Sequence, residues 1–258
     1  YCERRGFQFQ AIDLRWAIST EAVLDHRVMQ ICFDEIRRSQ EVSPGVNFLA
    51  LLGNRYGWRP LPEEITVEEF RRLDLAATQL DVFGQQQPMV AVLRRWYRLD
   101  ENSRTPVYVL QPRLNSNSGE PDGRDYATAS TWHEVAEVLW QIINSAFPAS
   151  DLRDRFTKQS SINTALPSLV RFQASNVEQE IWQGLFRTSN PEHHTLAFFR
   201  EIAPLQNVED ISLLRTFFDV ADGEIDLIAQ DAQRELKQAI KDRLGENAVT
   251  LKPDARLA

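Results

Sequence analysis

Five apolar residues in succession, Phe48 to Leu52, stop at Gly53 and open into a polar, aromatic turn, Asn54-Arg55-Tyr56-Gly57-Trp58-Arg59-Pro60. A continuous apolar run of this length predicts a fully buried parallel strand over 46–52. Upstream, Phe9-Gln-Ala-Ile-Asp13-Leu-Arg15-Trp16 predicts another strand, at about 7–13, ending in a charged and aromatic cluster. Between the two, Leu24, Val28, Ile31, Cys32 and Ile36 recur every three or four residues and predict a helix over Glu21–Ser39. The same period at Val67, Phe70, Leu73, Ala77 and Leu80 predicts a helix over 66–83, and Val135, Val138, Leu139 and Ile142 predict one over 132–146. Thr105–Leu110 reads as a further buried strand, with Pro106 among its first residues, where a missing donor is tolerated. Val90–Trp96 reads as a short helix or a short strand, and Asn115–Arg124 is the clearest loop.

Strands alternating with helices define an α/β three-layer domain with a mostly parallel sheet over residues 1–150. Beyond a junction at Pro148–Asp151, helices at about 177–187, 209–219 and 226–244 dominate, with one strand-like run at Thr195–Phe199. Residues 151–258 are therefore expected to form a mostly helical extension. In open α/β sheets, ligands sit outside the carboxyl ends of the strands. That rule places Asp13, Arg15, Trp16, Asn54, Arg55, Tyr56 and Trp58 around one expected crevice. An arginine fork there could hold a phosphate or carboxylate, and the aromatic rings could stack on a base. The alternative is structural: Asp13 pairs with Arg55 to lock the loops, and the rings pack the rim of the sheet.

Charge and composition narrow the chemistry. A net charge of −8 argues against a nucleic-acid-binding surface, which needs clustered Lys and Arg. No apolar stretch approaches the ~20 residues of a membrane span. Two cysteines are too few for a disulfide scaffold, and the four histidines lie apart or adjacent, without zinc spacing. No metal is expected, and a reducing, cytoplasmic setting is the default. P-loop, nucleophile-elbow and dinucleotide fingerprints are all missing. Asp219, Asp222, Glu224 and Asp226 around Gly223 lack calcium-loop spacing and read as an acidic turn before a helix. Glu35 reads as an ion-pair partner of Arg38, and Thr66-Val-Glu-Glu69 as a capping box in which Glu69 reaches back to the N-cap amide.

The segments DLRW (Asp13–Trp16), CFDEI (Cys32–Ile36), LLGNRYGWRP (Leu51–Pro60), Trp96–Pro112, FFREI (Phe198–Ile202) and Phe217–Leu244 follow one another in an order that resembles the DUF4062 family. This is a TIR-like (Toll/interleukin-1 receptor-like) domain at the N-terminus of NACHT and WD-repeat or TPR proteins, and the resemblance spans nearly the whole chain. It implies a TIR-like, flavodoxin-like fold. It also implies a first strand and most of a first helix ahead of Tyr1, with Gly6 as that helix's C-cap, and a NACHT module after the helical extension. The implied function is a signalling or effector and protein-interaction module of a STAND-type NTPase involved in innate defence. Its partners would be other domains of the same protein and homo-oligomer partners, without nucleic acid, membrane or cofactor. A rival reading comes from the same resemblance. TIR-type domains that cleave NAD use one glutamate on the helix after the third strand, and Glu69 falls on the matching helix. A carboxylate there could stabilise the cationic sugar formed as nicotinamide leaves, as in glycoside hydrolysis, with NAD as substrate.

Overall fold

A computed structural model describes residues 3–6, 8–14, 18–82, 88–113, 124–156, 166–201, 211–221 and 223–251. Its elements run α1 (Thr20–Leu24), α2 (Val28–Val42), β1 (Phe48–Leu52), β2 (Glu64–Thr66), α3 (Val67–Val82), α4 (Met89–Trp96), β3 (Tyr97–Asp100), β4 (Val107–Leu110) and α5 (Ala129–Ala146). They continue as α6 (Ser168–Gln173), α7 (Asn176–Ile181), a π-helical turn (Trp182–Phe186), β5 (Thr195–Arg200), α8 (Ile211–Phe217), β6 (Val220–Ala221), β7 (Glu224–Ile225), α9 (Leu227–Leu244) and β8 (Ala248–Leu251). The result is a mixed α/β fold with a parallel three-stranded sheet, β1-β5-β8, and a separate antiparallel one, β2-β4-β3.

The parallel sheet joins distant parts of the chain. Phe48 to Leu52 pair in register with Thr195 to Phe199, so the strand-like run expected inside the helical extension is the direct neighbour of β1. The sheet therefore crosses the boundary expected near 150. Its inward face, carrying Ala50, Leu52, Ala197 and Phe199, packs under α6, α7, the π-helical turn and α9. The segment between β1 and β5 carries a second unit. There α3, α4 and α5 cover the antiparallel sheet around Ile65, Leu73, Leu93, Leu139 and Ile142.

Helix α6 welds the two cores. Val170 and the C-cap residue Ala174 belong to the parallel-sheet core, whereas Phe172, on another face, stacks on Phe147 with ring centroids 4.2 Å apart in the other core. Gln173 fixes the same junction by donating from Nε2 to the Phe147 carbonyl at 2.5 Å.

Several expectations change. The Phe48–Leu52 run is an edge strand of the described sheet, not one buried on both faces: Ala50 and Leu52 are buried, while Leu49 and Leu51 are exposed. Residues 8–13, expected as a strand, join no described strand, and Phe9 is 76% exposed. Arg15 and Trp16 lie outside the described residues. The helix expected over 21–39 is two helices, because His26 adopts a left-handed φ of 60° that no helix continues through. The 105–110 run pairs antiparallel with the unforeseen short strands β2 and β3.

At Gly184, within the π-helical turn, helix and sheet approach closely: a Cβ there would lie 2.6 Å from the Phe48 ring. Gly184→Ala should therefore cost about 1–3 kcal/mol in urea unfolding, and Phe48→Leu in the same background should recover part of the loss. A neutral Gly184→Ala would show that the helix does not press on β1 in this way.

Candidate functional site

The carboxyl end of β1 leads into the glycine-hinged loop 53–60, and two amides, two carbonyls and the Tyr56 hydroxyl of that loop meet partners from the second half of the chain. The Gly53 carbonyl accepts from Gln233 Nε2 of α9 at 2.9 Å. The Tyr56 and Gly57 amides donate to the Asp219 carboxylate, just beyond α8, at 2.6 and 3.4 Å. The Trp58 carbonyl accepts from the Asn176 amide at 3.0 Å, at the start of α7. Gly57 has a φ of 101°, and a Cβ there would lie 3.1 Å from Asn176 Oδ1, so glycine is needed for both conformation and space.

Beneath this loop lies a buried charged network. Tyr56 is 5% exposed and donates its hydroxyl to Glu178 Oε2 at 2.8 Å. The Glu178 side chain is fully buried and also accepts from Arg155 Nε at 2.6 Å, Arg155 Nη2 at 3.0 Å and Trp182 Nε1 at 3.2 Å. Arg155 completes its fork on Glu235 Oε2 at 2.8 Å and the Leu152 carbonyl at 2.9 Å. Burial opposes the charge on Arg155, but Glu178 and its hydrogen bonds hold the guanidinium above its ordinary pKa. Burial and the adjacent Glu178 charge push the Tyr56 hydroxyl well above its ordinary value, so it remains a donor.

Above the loop, Arg55, Gly57, Arg215, Phe218, Asp219 and Asp226 border a shallow depression of about 370 Å³. Both of its carboxylates already serve the fold. Asp219 holds the Tyr56 and Gly57 amides, and Asp226 caps α9 by accepting from the Ile228 and Ala229 amides. Arg55 faces Asp219 at 3.9 Å, so Asp219 stands in the place where Asp13 was expected. Asp13 instead lies within electrostatic reach of Glu180. Asn54 is half-buried at the turn, and Trp58 is 53% exposed on its rim.

Glu69 sits apart from this depression. The capping box forms as the T-x-x-E spacing indicates: Glu69 Oε2 accepts from the Thr66 amide at 2.8 Å, and Thr66 Oγ1 accepts from the Glu69 amide at 3.2 Å. Its other oxygen pairs with Arg171 of α6. Burial alone would raise the Glu69 carboxyl, but Arg171 and the hydrogen bonds from Ser168 and Thr66 hold it below the usual carboxylate range.

Sequence reasoning missed Glu178, Arg155, Asp219 and Gln233 as partners of the loop. One signal was available for Glu178, because Ser175-x-x-Glu178 is itself a capping signature and the Glu178 amide donates to Ser175 Oγ at 3.2 Å. A half-buried carboxyl, Glu180, is pushed up to about 7 by burial and, secondarily, by the nearby Asp13 charge, against the hydrogen bond it shares with Cys32. Among the described residues, no group of three or more His, Cys, Asp or Glu is placed to hold a metal, and no helix is long and apolar enough to cross a membrane.

No protein-family model and no solved structure matches the chain. It is 28% identical to NACHT domain- and WD repeat-containing protein 1 of Homo sapiens over 244 residues, 94% of this chain and 14% of that protein. NACHT and WD repeat domain-containing protein 2 of Mus musculus is 29% identical over 149 residues, 56% of this chain and 8% of that protein. Telomerase protein component 1 of Rattus norvegicus is 26% identical over 136 residues, 50% of this chain and 5% of that protein. The chain thus spans a small part of the length of the curated relatives it matches, and the similarity supports a NACHT-associated protein.

Two outcomes follow from the buried charges. Glu178→Gln leaves the Arg155 guanidinium without its buried counter-charge and should cost about 3–5 kcal/mol, whereas Tyr56→Phe removes one hydrogen bond to a charged group and should cost about 1.5–3 kcal/mol. Equal, small losses in denaturant titrations would contradict the network. The second outcome concerns pH. The unfolded chain releases the Glu180 proton near the ordinary value of 4.5, while the folded protein retains it until about 7. The folded state then binds more protons across that window, so stability from this group is complete at the lower end and declines as pH rises to about 7. Glu180→Gln should flatten this decline in melting temperature, and an unchanged slope would exclude Glu180 as its source.

Proposed function

We propose that this chain is a signalling and protein-interaction module, TIR-like and of the DUF4062 kind, within a multidomain NACHT-type protein of the STAND class. It acts through assembly with other domains of that protein and with further copies of itself, in the cytoplasm and in innate defence, without nucleic acid, membrane or cofactor. The observation that carries this reading is the engagement of the loop 53–60. The Tyr56 and Gly57 amides, the Gly53 and Trp58 carbonyls and the Tyr56 hydroxyl are tied to Asp219, Gln233, Asn176 and Glu178, which fixes the support on which Arg55 and Trp58 stand exposed. A rigid rim with few uncommitted polar groups suits recognition of a surface better than chemistry on a small molecule. Similarity along 94% of the chain to a NACHT- and WD-repeat protein supports the same parentage.

The rival, hydrolysis of NAD through Glu69, draws less from the geometry. Both Glu69 oxygens are engaged, by Thr66 and by Arg171, and Glu69 does not border the depression that holds Arg55.

The combined change Arg55→Ala and Trp58→Ala, in the polypeptide as its gene encodes it, should weaken assembly measured by mass photometry. Folding stability should change little, by about 0.5 kcal/mol for each exposed position. Assembly and signalling identical to the unaltered protein would remove the rim from the account. Nicotinamide release by the assembled protein, lost in Glu69→Gln, would favour the rival.

A further inference from the structure

Among the described residues, helices clad only one face of the parallel sheet. On the other, Leu49 and Leu51 of β1 are 52% and 67% exposed, and Val249 and Leu251 of β8 are 41% and 49% exposed. Leu196 and Phe198 of β5 lie half-buried between them. The register makes the patch continuous, with Leu49 beside Leu196, Leu51 beside Phe198 and Phe198 beside Val249. Parallel sheets are almost always covered on both faces. Phe48-Leu-Ala-Leu-Leu52 carries neither charge nor proline, so its exposed side chains are all apolar.

The size of the face selects its occupant. Three strands about 4.8 Å apart and five residues at about 3.3 Å each make a patch of roughly 14 by 16 Å, or about 220 Å². A free-standing protein interface takes about 800 Å² from each partner, so a second copy seated here alone would not hold. One α-helix, about 10 Å across and rising 1.5 Å per residue, covers the patch with about 11 residues. Contact this small holds when the occupant is covalently tethered, because effective concentration then offsets the lost freedom of association.

We propose that this face docks one amphipathic α-helix of the same polypeptide, supplied from outside residues 1–258. The inference rests on the reading of the chain as one part of a multidomain protein. The helix presents apolar side chains at i, i+3 or i+4, and i+7 to Leu49, Leu51, Phe198 and Val249, with its polar face to solvent.

The test places the photo-crosslinking residue p-benzoylphenylalanine at position 51 or 249 of the polypeptide as its gene encodes it, and maps the products by peptide mass spectrometry. Cross-links from both positions should fall within one intramolecular segment of about 11 residues with the stated spacing. Leu51→Asp should also lower the melting temperature of the whole polypeptide. Cross-links to a second copy, to a different protein, or to no protein at all would each overturn the inference while leaving the rim reading intact. A gene product confined to these residues would overturn both, and helix cross-links with unaltered assembly in the rim variant would sink the rim reading alone.

Discussion

Two opposite charges shut away from water, Arg155 and Glu178, determine where the loop after β1 can lie. A buried ion costs several kcal/mol unless its counter-charge and remaining hydrogen-bonding sites are all supplied. Here Glu178 receives Arg155, Tyr56 and Trp182, while Arg155 reaches on to Glu235 and the Leu152 carbonyl. The loop 53–60, the turn before Arg155, α7 and α9 must therefore converge on one point. Any shift of the Tyr56 ring leaves a buried carboxylate short of a donor, so the loop behaves as part of the core despite its surface course.

That convergence also explains how the two halves of the chain become one body. The antiparallel unit from Glu64 to Phe147 is an excursion between strands β1 and β5, which must find each other across it. Pairing so distant in sequence carries a loop-closure cost before it is rewarded. The charged network and the two-faced helix α6 supply that reward: Phe172 enters one core while Val170 and Ala174 enter the other. A boundary at about 150 would have cut through both features.

What the sequence made legible was local. The capping box of Thr66 and Glu69 and the inward faces of α3 and α5 each depend on residues within one or two turns, and each forms. The strand at 48–52 was legible as a strand, but a run of five apolar residues carries no record of which face another element covers. Residues 8–13 show the same limit, since among the described residues no strand pairs with them and Phe9 is left in water. In the site, the glycines and Tyr56 stood out, whereas their partners did not. Asp219 looked like one more acid in an acidic turn, and Arg155 followed an unremarkable junction. Partners brought together by tertiary contact leave no spacing signal, so Asp13 was the nearer guess for Arg55.

The central claim is that the loop after β1 is locked by the protein itself and not by a ligand. Native-state hydrogen exchange at the Tyr56 and Gly57 amides of the ligand-free protein tests it most directly. The account expects both amides to be protected nearly as well as the central residues of α9, and to lose that protection together in Asp219→Ala. Exchange at the rate of an open loop, with protection appearing only after a nucleotide or partner is added, would contradict it.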